Sequence, residues 1–280
     1  MTDAHDHARP AASVTPMSPE ERVRLFAEAR RIAHEKTPSA RRMATHRLAA
    51  EARRLTDLVI RTGASIQQLN EAAGVLQALV DVLEAYGVKD RRDFMHFAEI
   101  ANAGDAFRAS DIDDVGFFDD SPIVGLANPL APPLRVQIHD DHVVGLANFG
   151  QAYEGPPGCV HGGYIAAAFD DLLGATQSLG GRPGMTGRLT IHYRRPHPLH
   201  AEIRYIGRVE RVEGRKTFTV GQSFLGDDLL AEAEGLFIAV DYERLAAGAP
   251  PSTPRPHPAT PTERETTPTG RETTAPEDVT

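Results

Sequence analysis

Apolar residues divide the chain into two regimes. Across the first third they recur at helical spacing: Leu48, Ala52, Leu55 and Val59 step by four, three and four, and Ile66, Leu69, Ala73, Leu76, Val80 and Leu83 step alternately by three and four. The first series predicts a helix over about 39–61, and the second a helix from Ser65 that Gly87 stops. Upstream, Ser18-Pro19-Glu20-Glu21 supplies a cap, a proline at the first helical position and a capping-box acid, so a further helix starts there. Residues 18–115 are therefore expected to form a helical region arranged as a helical hairpin. The stripe after Ser65 also suits a coiled-coil partner, but it spans only three heptads, and a hairpin within one chain uses the same stripe.

Past Pro122, Pro129, Pro132 and Pro133 the regime changes, which places a domain boundary at about 115–125. Runs at 134–138 and 143–149 flank the polar turn His139-Asp140-Asp141-His142 and predict a β-hairpin. The loop Glu154-Gly155-Pro156-Pro157-Gly158 interrupts the sheet. An apolar helix follows over about 162–179, with Ile165, Phe169, Leu172, Leu173 and Thr176, and its scarcity of charge implies burial on most sides. Four more strands are predicted at 186–194, 200–212, 216–225 and 229–240, with turns at Glu213-Gly214 and Gly226-Asp227-Asp228. The order β-β-α-β-β-β-β over residues 120–243 describes an α+β domain in which an antiparallel sheet wraps one long apolar helix, the hotdog fold.

Composition sets limits on this picture. Of the 280 residues, 41% are hydrophobic, which suits a globular chain. The formal charge of −9 argues against a general nucleic-acid binder, whose affinity rests on cations that displace phosphate counterions. Cys159 is the only cysteine, so neither an intrachain disulfide nor a cysteine-only zinc site can form within one chain. No run of about 18 uninterrupted apolar residues predicts a membrane span, and the polar first residues set a cytoplasmic default. Residues 1–17 and the Pro/Thr-rich stretch 244–280 lack the apolar content that offsets ordering entropy and are expected to be disordered.

The candidate chemistry gathers where the loop enters the apolar helix, at His161-Gly162-Gly163. The first amides of a helix lack intrahelical acceptors and sit at the positive end of its dipole, so Gly162 and Gly163 are candidates to stabilise an oxyanion. Asp170, about two turns on, projects near the same face and is a candidate general base or nucleophile. Against this stands a plain capped helix with a satisfied core acid. Asp171 is the rival acid, one 100° step off that face. Cys159 and His161 raise a Cys–His nucleophile, but side chains two apart in a loop need not meet, and a small hydrophobic cysteine accounts for the position. His139 and His142 have metal-like spacing without an evident third ligand, so no metal is expected.

The stretches EGPPGCVHGGYIAAAFDD, MTGRLTIHYRRPHPL and VEGRKTF, within about 154–240, resemble the PaaI-like branch of hotdog thioesterases and in particular its THEM-type acyl-CoA hydrolases. The resemblance implies that Gly162 polarises a thioester carbonyl, that Asp170 activates water or attacks directly, and that Thr186 holds the nucleophilic water. It implies for His161 a supporting role at the carbonyl-binding loop or on the thiolate side, rather than that of sole base. It also implies a homodimer or dimer of dimers with sites between subunits, Asp170 facing the glycine of the other chain. Some relatives carry an asparagine six residues before the histidine, where this chain has Gly155 beside Glu154. Gly163 would line the acyl-CoA site, and Arg194, Arg195 and Lys216, with Arg215 nearby, are candidates for the coenzyme A phosphates. No cofactor is implied. The alternatives are a non-catalytic acyl-CoA-binding hotdog module, or a hotdog hydratase or dehydratase, for which no paired histidine and acid motif is found.

Overall fold

The computed structural model describes residues 38–87, 118–181 and 184–240. The helix start at Ser18, the residues 1–17, the rest of the helical region over 88–115 and the tail 244–280 lie outside these. Helix α1 (Ala40–Arg61) is capped by Ser39, whose side chain accepts from the Arg42 amide. Helix α2 (Ile66–Ala85) begins on a reciprocal capping box, in which Ser65 Oγ accepts from the Gln68 amide and Gln68 Oε1 from the Ser65 amide. The apolar stripe of α2 is uncovered among the described residues: none of its residues is buried, and Ile66, Leu69, Leu76, Val80 and Leu83 are all exposed.

The second half follows the predicted order. Strands β1 (Arg135–Ile138) and β2 (Val143–Asn148) form a hairpin, and helix α3 (Gly162–Gln177) follows the loop. Strands β3 (Gly184–Tyr193), β4 (Glu202–Glu213), β5 (Lys216–Leu225) and β6 (Asp228–Ala239) complete one antiparallel sheet. Its lateral order, β1-β2-β4-β5-β6-β3, sends β3 to the far edge directly after the helix.

The sheet carries a trough of glycines on the face that receives α3. A methyl group at Gly207 on β4 would stand 2.3 Å from Thr176 Oγ1, and one at Gly145 on β2 would stand 2.9 Å from Leu172 Cδ1. At Gly221 on β5 it would press on Leu173 and Phe169 at 3.1 and 3.2 Å. Without these glycines the helix could not lie so close to the strands. Phe169, Leu172 and Leu173 are completely buried there, against Val143, Ile203, Tyr205 and Phe237. Each such side chain contributes roughly 1.5–3 kcal/mol of transfer free energy. Thr176, also buried, satisfies its hydroxyl by donating to the Leu172 carbonyl at 2.8 Å.

One titratable ring lies inside this core. His197 has no exposed surface; its Nε2 meets Ser223 Oγ at 2.9 Å, and its carbonyl accepts from the Val160 amide in the loop ahead of α3. Burial disfavours the imidazolium and pushes its pKa down to about 4.

Two outcomes follow from this packing. Gly207→Ala should lower the denaturant-measured stability by ~1–3 kcal/mol, because Thr176 is fixed by its own hydrogen bond and cannot give way, and adding Thr176→Ala should recover part of the loss. For His197 the folded pKa lies below the ordinary 6.5, so the unfolded chain binds the extra proton first and stability falls as pH drops from 6.5 toward 4. The loss reaches about 3 kcal/mol by pH 4. His197→Gln should flatten that part of the stability–pH curve.

Candidate active site

The start of α3 shows how the helix-entry amides are shared out. His161 is the N-cap, and its Nδ1 accepts from the Gly163 amide at 3.0 Å, which puts the ring proton on Nε2. The amides of Tyr164 and Ile165 bond to the His161 carbonyl. Gly162 alone of these first amides has no hydrogen-bond partner among the described residues. Of the two glycines expected to offer a free N–H, one is thus occupied by the capping histidine and the other is available. On the far side of Gly162, Tyr193 Oη donates to its carbonyl at 2.8 Å, and the phenol ring lies against its Cα. The sequence reading passed over Tyr193, which the position of β3 beside the helix entrance reveals.

The loop ahead of His161 is held through its backbone. The His161 amide donates to the Tyr153 carbonyl at 2.8 Å, the Val160 amide to His197 at 2.9 Å, and the Leu199 amide to Gly158 at 3.2 Å. Gly155 stands where a side chain would collide with His161, since a methyl there would be 2.8 Å from the His161 Cα. Its neighbour Glu154 turns back into the loop, where Oε1 accepts from the Gly158 amide at 2.6 Å and Oε2 from Gln151 Nε2. Cys159 is partly buried, and its partner histidine in the Cys–His alternative spends Nδ1 on Gly163.

The two acids of α3 go to different partners. Asp170 is half-buried and accepts from Thr186 Oγ1 at 2.8 Å. That contact depends on a β-bulge: Thr186 pairs with Phe237 and Arg188 with Leu236, leaving Gly187 over. Strict alternation from the inward Leu189 and Ile191 would turn residue 186 away from the helix, and the extra residue turns it back. Asp171 instead accepts from Ser121 Oγ at 3.0 Å, and that hydroxyl in turn accepts from the amides of Ile123 and Val124. Burial first, and the Asp170 charge in addition, push the Asp171 carboxyl above its ordinary range against the opposing Ser121 hydrogen bond.

Other predicted members are kept apart within one chain. Gly162 and Asp170 are eight residues distant on one helix, about 12 Å along its axis. Arg194 and Arg195 follow the β3 end that pairs with Ala231, whereas Lys216 pairs with Ile238 near the other end, seven residues and roughly 23 Å along β6. Arg194 is paired with Glu232 at 2.9 Å, Arg195 with Asp228, and Arg215 with the Ala239 carbonyl. His139 and His142 stack at 4.5 Å between ring centroids in their hairpin turn, and no group of three or more potential metal-binding side chains occurs among the described residues. No helix among them is long and apolar enough to cross a membrane.

Comparison with known proteins bears on this geometry. Residues 157–233 match the family model described as thioesterase superfamily. Over 91 residues the chain is 43% identical to acyl-coenzyme A thioesterase THEM4 of Xenopus laevis, which covers 32% of this chain and 41% of that protein. It is 36% identical over 107 residues to the Mus musculus protein of the same name, covering 38% of this chain and 46% of the other. The chain thus spans under half the length of these curated relatives. A crystal structure of a thioesterase superfamily protein is similar at a TM-score of 0.59 and 31% identity, over 72% of this chain and 93% of that one. That span exceeds what residues 118–240 alone supply.

The division of labour between the acids is open to measurement. A carboxyl whose folded pKa is raised costs stability when ionised, so folding should strengthen as pH falls through the raised Asp171 value. At neutral pH Asp171→Asn, which keeps an acceptor for Ser121 and removes the charge, should leave the melting temperature unchanged or higher. Asp171→Leu should cost about 1 kcal/mol by orphaning the Ser121 hydroxyl.

Proposed function

We propose that this chain, which belongs to the thioesterase superfamily and within it to the THEM-type hotdog family, hydrolyses an acyl-coenzyme A thioester to the free acid and coenzyme A. The observation that carries the reading is the half-buried Asp170 carboxylate, held by the Thr186 hydroxyl on a helix otherwise almost free of charge. A proton-accepting role gives this oriented carboxylate a purpose. The names of the THEM4 relatives supply the substrate class.

In this mechanism Thr186 donates to Asp170 Oδ1, leaving Oδ2 free to take a proton from a bound water. The water oxygen attacks the thioester carbon, and the carbonyl oxygen, now an oxyanion, is stabilised by the Gly162 amide at the positive end of α3. Collapse of the tetrahedral intermediate breaks the C–S bond, and the proton held by Asp170 passes to the departing thiolate. His161 acts through the loop: by occupying the Gly163 amide it fixes the turn in which the Gly162 amide faces outward.

The separation of about 12 Å between Gly162 and Asp170 along one helix is too great for both to serve one carbonyl, which supports a site shared by two copies. Among the described residues strand β3 is a sheet edge with one side unpaired, and antiparallel pairing of two such edges sets the Gly162 end of one copy beside the Asp170 end of the other. Such a homodimer, or a dimer of dimers, also brings Lys216 of one copy toward Arg194 and Arg195 of the other. Phosphates there compete with Glu232 and Asp228 for the two arginines.

The test is thiol release measured across short, long and aromatic acyl-CoA substrates. Asp170→Asn should lower kcat by about 10²–10⁴-fold with binding retained, and Thr186→Ala by a smaller factor that Thr186→Ser recovers. Hydrolysis by Asp170→Asn at the wild-type rate sinks this mechanism. Binding without hydrolysis by the wild-type protein favours the acyl-CoA-binding module.

A further inference from the structure

We propose that Asp57, on helix α1 and far from the hotdog domain in sequence, is a positioning residue for the active-site loop. This rests on the thioesterase reading for its catalytic consequence, though not for the structural clamp itself. The short 3-10 turn Gln151–Tyr153 opens the segment that leads to His161, and Gly150 before it has no side chain with which to cap it. Asp57 supplies the missing cap from another element: its Oδ1 accepts from the Gln151 amide at 2.5 Å across 94 residues of sequence. The approach is close enough that a methyl group on Gly150 would stand 2.8 Å from that oxygen. The second carboxylate oxygen, Oδ2, accepts from Arg61 Nη1 one turn on at 3.2 Å, which holds the Asp57 rotamer.

From Gln151 the constraint passes to the site through consecutive hydrogen bonds. The Gln151 side chain donates to Glu154 Oε2, and Glu154 Oε1 accepts from the Gly158 amide, closing the proline-rich loop on itself. Tyr153, the last residue of the turn, accepts the His161 amide, and His161 caps α3 and leaves the Gly162 amide free. Asp57 therefore sets where the loop begins, and the loop sets where the oxyanion donor points.

Helix α1 is fixed against the domain at two further places, so Asp57 is delivered by a rigid support. At its start Arg42 and His46 both bond to Asp119, at 2.6 and 2.9 Å. In its middle Arg53 donates to the carbonyls of Leu126 and Asn128, at 3.2 and 2.8 Å. Both contacts lie on the segment that also carries Ser121, the partner of Asp171, and Leu130, whose carbonyl accepts from Tyr153 Oη. Helix α1 is thereby part of the working site.

Hydrogen exchange on the full-length chain tests the clamp without reference to activity. Asp57→Ala should speed exchange of the Gln151, Gly158 and His161 amides by about tenfold or more while the amides of β4 and β5 keep their protection. In the thiol-release assay the same variant should lose about tenfold in kcat with KM within about twofold, since the donor is misplaced and the substrate contacts remain. Asp57→Asn keeps an acceptor for Gln151 and should restore most of both. Unchanged exchange of the loop amides in Asp57→Ala overturns the clamp, and faster exchange with unaltered kcat overturns the positioning role. A wild-type protein that releases no thiol defeats the thioesterase reading, and the loop amides then decide the clamp alone.

Discussion

The close seating of one apolar helix on a trough of glycines is the constraint from which the rest of this molecule follows. Gly145, Gly207 and Gly221 remove the side chains that would hold α3 away, and Phe169, Leu172, Leu173 and Thr176 fill the space gained. Because the interior is packed to near-crystalline density, the helix has one depth and one rotation at which these groups fit. That rotation decides which of two adjacent acids meets the edge strand. Asp170 reaches Thr186, and Asp171, one step round, reaches Ser121 instead.

The same helix imposes an accounting of amides at its start. A helix opens with N–H groups that lack intrahelical acceptors, and a helix buried in a sheet needs them satisfied or put to use. Here the capping histidine takes one, its own carbonyl takes the next two, and one is left at Gly162. The free amide has a defined direction because the two residues before it are tied, His161 to Tyr153 and Val160 to the buried His197. His197 serves as a core residue, with its ring on Ser223 and its carbonyl on the loop.

Helix α1 has a definite relation to the hotdog domain. Its contacts are polar and point-like, an Arg–His–Asp cluster, an arginine on two carbonyls and a carboxylate on one amide, so they fix position more than they add apolar burial. Burial works against the Asp119 charge, but the hydrogen bonds from Arg42 and His46 outweigh it and hold the carboxyl below its ordinary range. The Asp119 carboxylate is therefore ionised at neutral pH.

What the sequence by itself determined were the features that local chemistry controls. Strand and helix limits from 134 onward fall within a residue or two of those observed, and the helix starts expected near 39 and 65 lie where the structure begins α1 and α2, because periodicity and turn residues act over a few neighbours. Gly162, Asp170 and Thr186 were legible as a set through a recognisable motif, and the structure joins the last two directly. Only the tertiary structure decided the lateral strand order, the bulge at Gly187 that aims Thr186, the capture of the Gly163 amide by His161, and the contacts of Tyr193 and Asp57. Each of these pairs a residue with a partner whose nearness depends on the folded path of the chain, and no spacing along the sequence carries that information. Asp57 is the plainest case, since in sequence it is an ordinary acid one turn before an arginine, and the fold sets it on an amide 94 residues away.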